Sequence, residues 1–277
     1  MAALQAVHHP RSTPSVTLPC RPVTDFAHPK CYAGALNDCS EHISREHYFS
    51  ESVLELIGNS IEVSGMPWQQ ASDVASVSPA SLTAKRLCER HNRVLSPLDS
   101  CAKELFATLR RIDANLADDA TQSENSLVVL NGNDIERWFL KCLFGLAKMP
   151  RDDASTMLRD ELKCLRVLFG EVTWPTAWGL YADVSRSSHA YNGLSATTRL
   201  NQGDVWAATF NAAGTRFVLA LGKAEGSVVY RPAGLRFRHA DRPAVNSVIL
   251  TWSEPPHSDY ISFVRSRPYE GEPIDRY

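Results

Sequence analysis

The sequence predicts an α+β protein whose chain passes through three textures. Cysteines and histidines with ligand-like spacing gather between Cys31 and His91. Apolar residues recur at helical spacing from Cys101 to Leu168. From about Thr173, short runs rich in β-branched and aromatic residues alternate with Gly, Asn and Pro, the pattern of antiparallel sheets. The chain therefore divides into a flexible arm at 1–27, a metal-bearing module at 28–117, a helical segment at 118–172 and a β-rich module at 173–277.

Residues 1–27 are rich in Pro, Ser, Thr and Ala and keep no period, hence the arm. Ile43 to Tyr48 reads as a short strand. Ser50 reads as the cap of a short helix bearing Val53, Leu54 and Ile57, ended by Gly58. Ile61-Glu-Val-Ser-Gly is a second short strand, and residues 66–77 form a Ser/Ala-rich loop around Trp68. Asp99, after Pro97, is placed to cap an amphipathic helix over 100–117 with Cys101, Leu105, Leu109, Ile112 and Leu116 on one face. Residues 117–131 read as an acidic linker. Asn133 is placed to cap a helix facing inward with Ile135, Trp138, Phe139, Cys142, Leu143 and Leu146. Asp152 or Asp153 opens another, bearing Met157, Leu158, Leu162, Leu165 and Leu168, with Pro150 breaking the two apart. Six strands follow, beginning near Asp204, Thr215, Ser227, Gly234, Ser247 and Tyr260, and residues 265–277 are a tail.

Composition narrows the function. An apolar fraction of 44% suffices for a core, and no apolar run approaches the roughly 20 residues that span a bilayer. The first residues lack the basic start and apolar stretch of a secretory signal. Seven cysteines, four of them (Cys20, Cys101, Cys142 and Cys164) in no ligand-like spacing, favour a reducing cytoplasm over a disulfide framework. Residues 1–111 balance in charge, residues 112–172 carry a net −4 and residues 173–277 a net +2. This is not a strongly basic nucleic-acid binder, so a grip on phosphate needs a local patch or a bound cation. The one concentrated basic stretch interleaves Arg231, Arg236, Arg238 and Arg242 with Tyr230 and Phe237. It fits a strand with outward arginines, and also a surface that holds nucleic acid by charge and stacking.

The chemistry concentrates between residues 31 and 99. Cys88 and His91 form a Cys-x-x-His pair, which places two metal ligands on one turn. Cys31 and Cys39 upstream complete the four ligands that structural zinc prefers. His28, three residues before Cys31, offers an alternative to Cys39; the thiolate is the stronger ligand for a closed site. Between the two pairs lies the dipeptide Glu46-His47, and Asn92 follows the second pair directly.

This pattern resembles the HNH, or ββα-metal, nuclease family in its zinc-stapled form, over roughly residues 28–105. The resemblance implies a ββα-metal-like N-terminal module held by structural Zn2+ on Cys31, Cys39, Cys88 and His91. It implies His47 as the general base that activates water against a phosphodiester. It implies Glu46 and Asn92, joined by Asp99, as holders of a catalytic Mg2+ or Mn2+. The partner implied is nucleic acid, DNA ahead of RNA, with Arg45, Lys85, Arg86, Arg90 and Arg93 available to its phosphates. The sequence departs from the family in its wide Cys31/Cys39 spacing, in a residue near Thr83 where the family has a middle asparagine, and in lacking a Gly-Gly after the Glu-His strand. Adjacent strand residues point to opposite faces, so Glu46 and His47 share a site only if the strand bulges or ends there. The alternative is a zinc-stapled binding module without catalysis.

Overall fold

The computed structural model describes residues 23–64, 66, 69–70, 73–117, 125–148, 157–184, 193–212, 214–254 and 258–265. The fold is mixed α+β. Most of the expected arm and tail, Trp68 and residues 151–156 lie outside the described residues. The end of the arm is tied down: Phe26 bridges to Asp38, and the Cys39 N–H donates to the Phe26 carbonyl at 2.9 Å.

The N-terminal module is a hairpin-like pair followed by a helix. Strand β1 (Ile43–His47) leads through the one-turn helix α1 (Glu51–Leu54) into β2 (Ile61–Ser64), β3 (Val74–Val77), β4 (Thr83–Cys88) and helix α2 (Glu89–Ala117). β1 pairs antiparallel with β4, and β2 with β3. The loop expected over 66–77 thus contains a strand; its Val-Ala-Ser-Val is too short to show a period, and pairing with β2 decides it.

α2 starts eleven residues before the expected helix. It runs through Pro97, whose ring removes a hydrogen bond to the carbonyl of Arg93. Arg93 and Pro97 are both exposed, so water satisfies that carbonyl and the helix continues. Asp99 is therefore inside the helix and caps nothing. The expected apolar face holds: Leu105, Leu109, Ile112 and Leu116 are buried, extended upstream by Val94, Leu95 and Leu98.

Beyond α2, strand β5 (Ser126–Asn131) occupies the second half of the expected linker and leads into α3 (Gly132–Ala147). Its Leu-Val-Val-Leu core was hidden in the sequence by acidic and polar neighbours. Asn131, not Asn133, caps α3, its side chain accepting from the N–H groups of Asn133 and Asp134. Helix α4 (Glu161–Leu168) buries Cys164, Leu165, Val167 and Leu168. Met157 and Leu162, expected on its inner face, are exposed, because the helix begins only after Asp160 in a left-handed conformation (φ 51°).

The remaining strands are β6 (Trp178–Asp183), β7 (Leu194–Asn201), β8 (Asp204–Ala212), β9 (Thr215–Leu221), β10 (Val228–Tyr230), β11 (Pro232–His239), β12 (Val245–Thr251) and β13 (Ser258–Arg265). All six expected strands are present. β6 and β7 are additional: β6 is buried at every position and so shows no alternation, and β7 is mostly polar. One five-stranded sheet has the order β10-β6-β9-β8-β7 and is antiparallel throughout. A four-stranded sheet has the order β13-β11-β12-β5, with β11/β13 and β12/β5 parallel. Neither sheet lends a strand to β1 and β4.

One apolar cluster runs from Cys31 through α2, α3 and α4 to Phe263. Trp138, Phe139, Phe144, Phe210 and Phe217 are among its largest buried side chains. Tyr32 stacks on Phe144 with ring centres 5.1 Å apart, fixing the N-terminal module to α3. Among the described residues, no helix is long and apolar enough to cross a membrane.

Candidate metal centre and adjoining cleft

Cys31, Cys39, Cys88 and His91 converge. All four are buried, and their ligand atoms lie within 4.8 Å of one another. His91 Nδ1 is 3.6, 3.8 and 3.2 Å from the sulfurs of Cys31, Cys39 and Cys88. Tetrahedral zinc with bonds of about 2.3 Å to sulfur and 2.0 Å to nitrogen sets S···N edges of about 3.5 Å, so the spacing fits. The donor set fits as well: three thiolates and an imidazole with no open position.

The local chain explains how the wide Cys31/Cys39 spacing closes. Residues Gly34–Leu36 make one 3-10 turn, ended by Asn37 in the left-handed region (φ 51°). The detour returns Cys39 beside Cys31. Gly34 suits the close approach there, since a Cβ would stand 3.0 Å from the His28 carbonyl oxygen and push it back by a few tenths of an ångström. Cys88 ends β4 and His91 sits in the first turn of α2, so strand and helix deliver the second pair. His28 is not in the cluster; its Nδ1 accepts the Lys30 N–H.

The electrostatics of the cluster suit a cation. The Cys31 hydrogen bond pulls the Cys88 thiol down to about 2, against burial and with help from His91. That same hydrogen bond, and then burial, push Cys31 well above its ordinary value. Burial also raises Cys39. Three sulfurs this close cannot all ionise unless a positive ion joins them. Two backbone N–H groups already point at sulfur, Ser40 to Cys88 and Cys88 to Cys31, each at 3.4 Å. The described cysteines form no disulfide.

Beside the cluster lies an open cleft of about 610 Å3. Ser44, Arg45, Glu46, His47, Asn92 and Asp99 border it, with Ser50, Glu51, Glu89, Arg93 and Lys141 among the others. β1 ends at His47, and the register of β1 and β4 shifts between Ser44 and Glu46, where Lys85 and Arg86 face the single Arg45. The strand therefore ends where the sharing of one site required it to. Glu46, His47 and Asn92 all reach the cleft. Thr83 pairs directly with His47.

His47 is half-buried. Burial lowers its pKa, with Glu51 opposing, and Nε2 lies 3.6 Å from Glu51 Oε2 without a hydrogen bond. A neutral imidazole with a free nitrogen can accept a proton.

The carboxylates are differently placed from expectation. Lys141, from α3, puts Nζ 2.7 Å from Glu46 Oε1 and 2.8 and 2.9 Å from the two oxygens of Asp99. Burial works to discharge the ammonium, but Glu46 and Asp99 outweigh it and hold it charged above the lysine range. Burial pushes Glu46 up, with Lys141 opposing. Ser50, expected as a helix cap, makes no cap bond; its hydroxyl donates to Asp99 and accepts from Trp138 Nε1 at 2.6 Å. Sequence reasoning missed Lys141, Ser50 and Trp138. Lys141 sits amid Leu140, Cys142 and Leu143 on a helix that is buried all round, and a lysine at such a position was the available signal.

Of the five basic residues expected to meet phosphate, Arg45 and Arg93 border the cleft. Arg90 is paired with Asp38 at 2.8 Å, and neither Lys85 nor Arg86 lines the cleft. Compared with models of protein families, with curated proteins and with solved structures, the chain matches none. Fold and site together define an α+β protein with a buried Cys3His cluster that can hold a metal such as zinc.

Proposed function

We propose that the chain is an HNH-like nuclease that hydrolyses phosphodiester bonds of nucleic acid, DNA in preference to RNA, on a module stapled by Zn2+. The observation that carries the reading is one juxtaposition. β1 and the first turn of α2 set Glu46, His47 and Asn92 on a single cleft, immediately beside the four-ligand cluster. His47 takes the proton of a water as its oxygen attacks phosphorus. The bond from phosphorus to the 3′ oxygen breaks, and that oxygen takes a proton from solvent.

The cleft's charged lining holds five carboxylates and three cations. Left so, it repels a phosphodiester. Oxygen donors on Glu46, Asn92 and Asp99 suit a hard cation such as Mg2+ or Mn2+, which must compete with Lys141 for the carboxylates. When bound, such an ion supplies charge stabilisation for the pentavalent phosphorus and the leaving oxygen.

The test uses the full chain on plasmid and on linear single strands, with Mg2+ or Mn2+ and with a chelator under conditions that spare the zinc. Elemental analysis is expected to find about one zinc per chain. His47→Ala is expected to lower cleavage by about 10²–10⁴-fold, with zinc content and melting temperature retained. Cys88→Ala is expected to lose zinc, fold and activity together. No cleavage by wild type, or equal cleavage by His47→Ala, overturns the nuclease reading. The second reading, a zinc-stapled binding module, then stands, favoured by the hold of Lys141 on Glu46 and Asp99.

A further inference from the structure

The four-stranded sheet has two unlike faces. Leu235, Phe237, Val248, Leu250, Ile261 and Phe263 are buried on the inner one. The outer one presents Arg236 and Arg238 from β11, both exposed, two positions apart and so about 6.8 Å along the strand. Ser247 and Ser262 flank Arg236 in register on β12 and β13. Tyr260 is also exposed, and the Arg236 guanidinium lies 4.0 Å over its ring centre.

This face borders a shallow cavity of about 540 Å3 whose lining contains no carboxylate. Among the described residues, neither arginine forms an ion pair with a carboxylate. The contrast with the acidic cleft is complete in sign, and the two share no residue.

We propose that this sheet face is a docking track for single-stranded nucleic acid. Its phosphates lie on Arg236 and Arg238, with hydroxyls of Ser247 and Ser262 as further donors. A base stacks on the Arg236 guanidinium, which itself lies over the Tyr260 ring. Charge complementarity selects a polyanion. The exposed stacking pair selects a single strand, because the bases of a duplex are closed to it. The proposal does not depend on cleavage, since none of these residues borders the cleft.

The experiment measures fluorescence anisotropy of labelled oligothymidine, about 20 nucleotides long, against the full chain in buffer without divalent cations. Arg236→Gln combined with Arg238→Gln is expected to weaken binding at least about tenfold. The same pair is expected to flatten the slope of log K against log salt by about 1.4, the share of two single-strand phosphates. Tyr260→Ser is expected to weaken binding by about five- to a hundredfold. All three side chains are exposed, so melting temperatures are expected to stay near wild type. Binding is read without divalent cations, hence without cleavage, so failure of the nuclease reading leaves this result unaffected. Unchanged affinity in the arginine pair overturns the proposal. So does equal arginine-dependent binding of a duplex, or arginine-dependent binding of phosphatidylserine vesicles without binding of the oligonucleotide.

Discussion

Of the buried charges on helix α3, Glu136 and Lys141 lie five residues apart and are treated in opposite ways. Glu136 is fully buried and meets Arg231 through two bonds, 3.0 Å to Nε and 2.9 Å to Nη2. Its Oε1 also accepts the Leu180 N–H at 2.7 Å. Tyr230 and Trp252 close over the guanidinium, 5.1 and 5.6 Å from it. The inner contact is enclosed; outside it, Arg231 Nη1 lies 3.7 Å from the exposed Glu254, a contact open to water. Lys141 instead faces two carboxylates on the wall of an open cleft. That group keeps a surplus negative charge within reach of water. An enclosed, two-pronged pair fastens the join of β10 and β11, and through Leu180 also β6, to α3. An unbalanced group at an opening can exchange its partners, as a site for cations or substrate must.

The sharpest way to break the contrast is Arg231→Met. It strands Glu136 in the core and is expected to cost about 3–5 kcal/mol in chemical denaturation. Arg231→Lys is expected to recover only part, because an ammonium cannot replace the two-pronged contact. A loss below about 1 kcal/mol for Arg231→Met would show that the pair does not hold the sheets together.

The second prediction concerns pH. Burial, against the pull of Arg231, lifts the Glu136 carboxyl from 4.5 to about 7. Between those two values the folded protein keeps a proton that the unfolded chain has released, and the pair with Arg231 is fully ionised only above about pH 7. This group's contribution to stability is complete below about pH 4.5 and is lost as pH rises through 7, by about 3 kcal/mol at most. Denaturation midpoints measured from pH 4.5 to 8 check it. Glu136→Gln is expected to remove that part of the slope.

The two ionic groups differ in how far the sequence revealed them. Arg231 belonged to a visible basic stretch read as a strand with outward arginines, although it has the parity of the inward Leu235 and Phe237. Arg236 and Arg238 are exposed as expected. Arg231 is buried against Glu136 at the join of β10 and β11, where its backbone takes a positive φ of 39° that no pattern of residue types announces. The Cys3His cluster was legible because two of its members sit on one turn and thiols at ligand spacing are uncommon. The meeting of Glu46, His47 and Asn92 was legible as a condition, that the strand end, and β1 does end at His47. Asp99 was misread because Pro97 looks like a boundary, and only the exposure of Arg93 and Pro97 lets the helix pass. β5 and β6 were missed because a strand with acidic neighbours and a strand buried on both faces each lose the period of two.

The smallest expected effect carries the most information about the cleft. Lys141→Met removes the ammonium and leaves Glu46 and Asp99 facing each other across the space it filled. In a sealed core that change would match Arg231→Met. Here Asp99 is open to water and keeps its Ser50 hydroxyl, while Glu46 can take up a proton. The expected cost is about 1.5–3 kcal/mol, the range for hydrogen bonds to charged groups. A divalent cation can then take the position of the ammonium, since two carboxylates and the Asn92 amide are ligands it accepts. Thermal melts with and without Mn2+ are the measurement. The melting temperature of Lys141→Met is expected to rise with Mn2+ by more than that of wild type. Adding Glu46→Gln is expected to erase the difference. If Lys141→Met loses as much stability as Arg231→Met and ignores Mn2+, then Lys141 is a second structural pair, and the cleft has no call for a cation at that place.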